Sequence, residues 1–238
     1  MVRSFFDPAL AVESLPFVLM GLRYTVVIAV ASMTAGMLLG LPIALARMSK
    51  RRVLTGPARL YISFMRGTPV LVLLFLFYFG LPSLGIGLSA VAAAISAFGL
   101  NSAAFIAEID RGAILSVPRG QWESARSLGM SEAQILFRVV LPQAARVAVP
   151  SLSNVMLDLI KATSLASVIT VQEVLLNAKI VAGRTFDTFT MYLTAALVYW
   201  AVCSLFSLFQ DRLERRLDVA MAGPVGGGPG RIGPHAAE

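Results

Sequence analysis

Long apolar runs separated by short polar clusters set the pattern of this chain. A helix that crosses a bilayer needs about 20 mostly apolar residues at a rise of 1.5 Å per residue. The segments 24–46 and 188–210 contain no charged residue, and each is long enough to cross a membrane once. We therefore predict a transmembrane helix in each of these two segments.

The uncharged segment 67–107 is roughly twice the length that one crossing requires. The residues 80–85 read Gly-Leu-Pro-Ser-Leu-Gly, a combination typical of a turn because glycine and proline interrupt regular helix. We predict two spans around this turn, one from about Leu60 and one from about Leu88.

One more segment, roughly 147–172, has the length of a span but contains Asp158 and Lys161. A charge at the bilayer centre costs about 2.5–3.5 kcal/mol, so these residues need an explanation. They stand three residues apart and can neutralise each other on one helix face; alternatively, they face a cavity through which a solute passes. Counting this segment, the sequence predicts an all-α integral membrane protein with five transmembrane helices.

Composition agrees with a membrane protein and excludes several other classes. Hydrophobic residues make up 57% of the 238 residues and charged residues 14%, against about 45–50% and 25% in soluble domains. With Cys203 as the one cysteine and His235 as the one histidine, a disulfide scaffold, a Ser-His dyad and a His-ligated metal site are excluded. The Gly/Pro-rich tail 223–238 cannot bury a core, so residues 1–222 form the predicted membrane domain and the tail is predicted to be disordered.

The charges predict how the chain is oriented. The net charge is +7, but the basic residues lie between apolar runs and form no aromatic-interleaved platform for nucleic acid. Fifteen of the 20 basic residues follow the first, third or fifth span, and four lie on the opposite side. By the positive-inside rule, the N-terminus lies outside and the C-terminus is cytoplasmic.

The loop of about 108–146 between the third and fourth spans is far longer than an ordinary connection, and long loops are often functional. Periodicity predicts a first short helix with Trp122, Ala125 and Leu128 on one face. Gly129 follows as the residue just past its C-terminus, where glycine is favoured.

A second short helix is predicted after the N-cap residue Ser131 and ends at Pro142. Such an exposed helix pair suits the docking of a partner protein. An amphipathic hairpin that lies on the bilayer surface is the alternative that these residues leave open.

The loop also resembles a known motif. Its matching residues are Glu123, Ser124, Ala125, Gly129, Leu141 and Pro142. Their spacing is similar to that of the EAA motif in importer permeases of the ATP-binding-cassette (ABC) superfamily, with Ser124 in place of the commoner alanine. The strings at 66–69, 107–112, 117–123 and 161–165 resemble the polar amino-acid branch of that family in the same order.

The resemblance implies a fold like that of type I ABC importer permeases, in which the loop forms coupling helices that dock on a separate ATPase subunit. ATP and Mg²⁺ would be bound there, because this chain has no Gly-x-x-x-x-Gly-Lys-[Ser/Thr] loop of its own. The chain is accordingly predicted to have no cofactor, metal site or catalytic residue. The implied partners are a second permease chain, identical or related, and an extracytoplasmic amino-acid-binding protein.

The predicted setting is the bacterial cytoplasmic membrane, and the predicted function is the import of polar amino acids or close analogues. Together with the polar residues inside the spans, the resemblance places a substrate path at Asn101, Asp158, Lys161, Thr163 and Ser164. Position 162 is alanine, where the family often has Asp or Asn, so the specificity is left open.

Two other functions compete at this point. An ATP-independent secondary carrier or channel subunit would use Asp158 as an ion site, but the small number of spans and the large loop count against it. A membrane anchor for a soluble enzyme would use the same loop and would leave the polar residues within the spans unexplained.

Overall fold

Ten α-helices make up most of the computed structural model, which describes residues 6–221. They are α1 Pro8–Met20, α2 Leu22–Met48, α3 Arg52–Gly67, α4 Val70–Phe75, α5 Ala90–Ser116, α6 Arg119–Ser127, α7 Glu132–Ile135, α8 Leu141–Ala162, α9 Val174–Thr185 and α10 Thr188–Met221. Two π-helical segments, Leu76–Gly80 and Leu136–Val140, and two 3₁₀ segments, Leu81–Leu84 and Thr163–Ile169, adjoin them. The predicted disordered tail lies outside the described residues.

Four helical runs in the described part of the chain are long and apolar enough to cross a membrane. They are Pro8–Met48, Ala90–Ser116, Glu132–Ile169 and Thr188–Arg212. A fifth crossing is obtained when α3 and the segment Val70–Leu84, which meet at a bend of 102°, are counted as one broken span. The predicted all-α membrane fold is confirmed.

The second span differs from the prediction. Its helix begins at Arg52 rather than near Leu60, and it breaks at Thr68 and Pro69. Thr68 is extended (φ −99°, ψ 131°), as expected for a residue that precedes proline. The Asn101 side-chain amide donates to the Met65 carbonyl at 2.6 Å, so a polar residue of α5 satisfies a carbonyl in the last turn of α3.

The core lies where α2 packs lengthwise on α5, and small residues allow the two backbones to approach closely. A Cβ atom on Gly36 would meet the Ser102 hydroxyl at 2.5 Å, and one on Gly40 would meet Ile106 at 2.5 Å. Larger apolar residues of these two helices and of α4 and α8 fill the rest of this core, among them Ile28, Leu73, Leu74, Phe98 and Ile160.

The prediction that Pro142 ends a helix is wrong. The chain stays helical from Glu132 to Ile169, with Pro142 in the first turn of α8. The π-helical segment ends just before Pro142, where the Leu141 amide donates to the Leu136 carbonyl five residues back. This wider turn accommodates the proline, which has no N–H and would clash with a carbonyl in a regular α-helix.

Candidate coupling surface and membrane cavity

The turn between α6 and α7 is tightly defined by backbone hydrogen bonds. The Gly129 amide donates to the Arg126 carbonyl at 2.9 Å, and the Met130 amide donates to the Ala125 carbonyl at 3.2 Å. These two bonds make a Schellman motif, which requires a residue with positive φ just past the helix. Gly129 has φ +76°, so its predicted place at the helix end is confirmed.

The second helix of the loop starts as predicted. The Gln134 amide donates to the Ser131 hydroxyl, while the Gln134 side chain accepts from the Ser131 amide. This capping box satisfies donors at the start of a helix in both directions. Both ends of the α6–α7 turn are therefore fixed locally.

An ion pair also bridges the turn. Arg126 donates from Nε and Nη2 to the two carboxylate oxygens of Glu132, at 2.7 and 3.1 Å. The hydrogen bond to Glu132 raises the pKa of Arg126, so the guanidinium stays charged. Because both side chains are more than half exposed, water screens their attraction, and the main role of the pair is to fix the geometry of the turn.

The residues of the predicted docking motif divide between a buried and an exposed side. Ala125 is only 4% exposed and packs near Ile114 and Ile135, in a cluster that joins the loop to α2, α5 and α8. Glu123, Ser124 and Gly129 are exposed, and open space lies where a Gly129 Cβ would point. One surface thus anchors the loop to the helices while the other is free to receive a partner.

Leu128 departs from its predicted position. The sequence places it on one face with Trp122 and Ala125, but it is 81% exposed, whereas Trp122 packs on the cluster around Ala125. Leu128 is the C-cap residue, with φ −82° and ψ 6°, so its backbone has already left the helix and its side chain no longer follows the helical period. It adds an apolar side chain to the exposed surface beside Gly129.

The two remaining motif residues connect this surface to the membrane. Leu141 is half-buried in the same cluster as Ala125, and Pro142 is exposed. Both belong to the helical run that starts at Glu132 beside the turn and continues to the polar residues of α8. A displacement of the turn therefore has a continuous helical path to Asp158 and Lys161.

A cavity of about 230 Å³ lies between α5 and α8. Asn101 and Asp158 provide its polar lining, together with Ser102, and Phe98, Phe105 and Ala162 are among its apolar walls. Asp158 pairs with Lys161 at 2.8 Å, and their side chains are 76% and 60% exposed. The structure thus brings Asn101 and Asp158 to one cavity.

The other predicted path residues lie elsewhere in this conformation. Lys161 lines a separate groove against α10, beside Cys203 and Asp211. Thr163 is fully buried and its hydroxyl donates to the Ile160 carbonyl at 2.7 Å, and the Ser164 hydroxyl donates to the Lys161 carbonyl at 2.7 Å. Both hydroxyls bond to the backbone one turn earlier, where the helix changes from α to 3₁₀.

The comparisons with known proteins agree with this architecture. A family model described as the binding-protein-dependent transport system inner membrane component matches residues 32–219. The chain belongs to this family. It is an ABC importer permease subunit embedded in the membrane by several helices, and neither the carrier nor the anchor hypothesis receives support.

Several relatives match the permease over most of their length. The probable amino-acid ABC transporter permease protein YckA of Bacillus subtilis (strain 168) is 57% identical, over 89% of this chain and 93% of that protein. The L-cystine transport system permease protein TcyB of the same organism is 46% identical, over 83% and 85% of the two chains.

Solved structures match the permease as well. A crystal structure of an amino acid ABC transporter with histidines has 37% identity and a TM-score of 0.82, over 88% of this chain and 98% of that one. An inward-facing methionine ABC transporter, MetNI, shares the fold at 21% identity and a TM-score of 0.72. The predicted type I importer fold is thereby confirmed.

Sequence reasoning missed a fully buried ionisable residue, Glu173. Its side chain caps α9, accepting from the Leu175 and Leu176 amides at 2.8 and 2.7 Å. The Tyr199 hydroxyl of α10 donates to the same carboxylate, and a Cβ on Gly21 would meet the Glu173 backbone at 2.4 Å. The signal in the sequence is an acidic residue directly before an apolar helical segment.

Proposed function

We propose that this permease subunit carries polar amino acids or close analogues, and that a separate ATPase subunit drives it by docking on the α6–α7 turn. The substrate class is supported by the names of the relatives, among them an L-cystine permease and a probable amino-acid permease. The observation that carries the coupling mechanism is the unbroken helical run from Glu132 to the cavity residue Asp158.

In this proposal the docking surface comprises Glu123, Ser124, Ala125, Gly129, Leu141 and Pro142. Exposed Glu123 and Ser124 offer polar contacts to the ATPase, and Gly129 permits close backbone approach because it has no side chain. Ala125 and Leu141 act from the buried side, where they hold the turn on α8. ATP and Mg²⁺ are bound by the ATPase, so the permease performs no chemistry of its own.

The proposed solute path comprises Asn101, Asp158, Lys161, Thr163 and Ser164. In this conformation Asn101 and Asp158 share the cavity, and a zwitterionic solute has groups complementary to the Asp158 and Lys161 charges. Thr163 and Ser164 lie at the change from α to 3₁₀ helix. They would reach a solute after a rearrangement of that segment, which is a place where transporter helices are commonly broken.

The proposed assembly contains two permease chains, two ATPase subunits and an extracytoplasmic amino-acid-binding protein in the bacterial cytoplasmic membrane. Five crossings are few for a complete path, which supports a second permease chain. The uneven distribution of basic residues supports an outside N-terminus and a cytoplasmic coupling loop.

Gly129→Asp tests the docking surface. An aspartate at φ +76° strains the turn and places a charge where the ATPase approaches. We expect loss of solute-stimulated ATP hydrolysis in the reconstituted importer, with normal membrane insertion. Gly183→Asp is the matched control, because Gly183 on α9 also faces open space but lies far along the chain from the loop. Equal hydrolysis in the Gly129→Asp variant and the unmodified importer would contradict the docking assignment.

Removal of the two charges tests the solute path. If Asp158 and Lys161 only neutralise each other, the double variant Asp158→Asn/Lys161→Met should transport as well as the unmodified chain, because no unpaired charge remains. If they contact the solute, both single variants and the double variant should transport poorly. Uptake of labelled amino acid into proteoliposomes that contain ATP distinguishes these results.

A further inference from the structure

A small basic pocket lies at the coupling-loop end of the helices, and none of its lining residues belongs to the docking motif or lines the cavity. It has a volume of about 290 Å³ and is lined by Arg47, Met48, Arg59, Arg111 and Leu115. These residues come from the end of α2, the middle of α3 and the end of α5. Each of these three helices thus contributes one arginine to the lining of the pocket.

The charges around this pocket do not balance. Glu108 is shared by two of the arginines, since its Oε1 accepts from Arg47 Nε at 2.5 Å and its Oε2 accepts from Arg111 Nη2 at 3.0 Å. Within residues 6–221, the Arg59 guanidinium makes no ion pair, and the terminal nitrogens of Arg47 make no hydrogen bond. Three guanidinium groups face one carboxylate, which leaves an excess of two positive charges.

The unpaired groups are well suited to a phosphate. A guanidinium group presents several N–H donors in one plane and can donate to two oxygens of the same phosphate at once. Arginine is therefore a preferred residue for this anion. Glu108 occupies one edge of Arg47 and of Arg111 and so holds both side chains in place. The pocket is therefore partly organised before any ligand enters.

Exposed apolar residues occur on the helices that form the pocket. Leu115, which lines it, is 61% exposed. Helix α3, which contributes Arg59, also carries an outward row of apolar residues, with Val53 82%, Leu60 72% and Phe64 53% exposed. A basic pocket beside exposed apolar side chains matches a ligand that has both a phosphate and hydrocarbon chains, as in lipid sites between helices at the cytoplasmic surface.

We propose that the pocket formed by Arg47, Arg59 and Arg111 binds the phosphate of an anionic phospholipid headgroup in the leaflet next to the coupling loop. The apolar residues of α3 and Leu115 then contact its acyl chains. The lipid would join the ends of α2, α3 and α5 beside the ATPase docking surface. A free phosphate shares the headgroup chemistry but makes no use of the apolar residues.

The test compares two arginines of the same helix in the full permease–ATPase complex. Arg59→Gln removes a guanidinium from the pocket, and Arg52→Gln removes another exposed one, seven residues earlier, that does not line it. Native mass spectrometry of each complex with phosphatidylglycerol measures the affinity, and phosphatidylcholine measures the background. We expect Arg59→Gln to weaken phosphatidylglycerol binding about fivefold, and Arg52→Gln to leave it unchanged.

Three results would overturn the proposal. Equal losses in both variants would show general attraction of the surface to anionic lipid, with no discrete pocket. Displacement of the lipid by millimolar inorganic phosphate would identify a soluble anion as the ligand. Unchanged lipid binding with loss of the ATPase from the Arg59→Gln complex would show that Arg59 contacts the ATPase. Retention of the ATPase together with selective loss of phosphatidylglycerol supports the lipid site.

Discussion

The dipeptide Leu-Pro follows a π-helical segment at two places in this permease. The helix ends shortly after one of these prolines and continues after the other. Leu81-Pro82 follows the π-helical segment Leu76–Gly80, and Leu141-Pro142 follows the π-helical segment Leu136–Val140. At both places the leucine amide donates to a carbonyl five residues back. The wider turn thus accommodates the proline in the same way each time.

The two places differ in the residues that come after the proline. After Pro82 the chain forms one 3₁₀ turn and leaves the helix at Gly85, with φ +80°. After Pro142 the residues Gln143, Ala144 and Ala145 continue an α-helix of 22 residues. Helix-forming residues let the chain stay helical after Pro142, whereas glycines let it leave the helix after Pro82. The comparison shows that proline alone does not decide where a membrane helix ends.

The largest expected effect comes from making the helix after Pro142 resemble the chain after Pro82, which leaves the helix. Gln143→Gly/Ala145→Gly weakens the helix just after Pro142, at a cost of about 1 kcal/mol for each glycine. If the helix transmits movement from the docking turn to α8, solute-stimulated ATP hydrolysis should fall about tenfold, the loss of a typical coupling free energy. The ATPase should still copurify, because the α6–α7 turn itself is untouched.

The matched change after Pro82 is Ser83→Gly/Leu84→Gly. Both residues lie in the 3₁₀ turn, where the chain already leaves the helix, so hydrolysis should stay close to normal. Similar losses in both double variants would mean that general destabilisation is responsible and that the continuous helix has no special part in coupling.

These two Leu-Pro sites also show which features of the fold can be predicted from the sequence. Uncharged runs of sufficient length predict where the chain crosses the membrane, and turn residues such as Gly129 and Ser131 predict the docking loop. The continuity through Pro142 and the break at Pro69 are not predicted, because each depends on which neighbours satisfy the backbone. Near Pro69 this neighbour is Asn101, which donates to the Met65 carbonyl from more than 30 residues away along the chain.

The candidate site is predictable to a similar extent. The docking residues form a local motif whose geometry is determined by caps and glycine conformation, so spacing alone brings them together. The residues of the membrane path are scattered along α5, α8 and the 3₁₀ segment Thr163–Ile169, and the rotation of these elements decides which of them meet. Asn101 and Asp158 share a cavity while Lys161 turns toward α10, a result that depends on packing that one sequence does not specify.

A smaller effect is expected at Gly85 and Gly129, the glycines with positive φ among residues 6–221. Gly129→Ala and Gly85→Ala each place a side chain at a left-handed residue with open space around it, so each should cost about 1–2 kcal/mol from backbone strain alone. The two variants should therefore lower the thermal midpoint of the purified complex by similar amounts. Only Gly129→Ala should also reduce solute-stimulated hydrolysis, because Gly129 lies on the docking surface. Equal hydrolysis in both variants would show that Gly129 does not belong to the docking surface.

The smallest effect is expected from the prolines themselves, and the two should agree in sign. Pro82→Ala frees the backbone of a turn and should destabilise the complex by about 0.4–1 kcal/mol. In a regular helix interior, Pro142 would cost about 3 kcal/mol, but the π-helical segment before it already avoids the steric clash. Pro142→Ala should therefore also destabilise the complex, by less than about 1 kcal/mol, because the unfolded chain gains freedom while little strain is relieved. A gain near 3 kcal/mol in thermal unfolding would instead show that the π-helical turn leaves the proline strained.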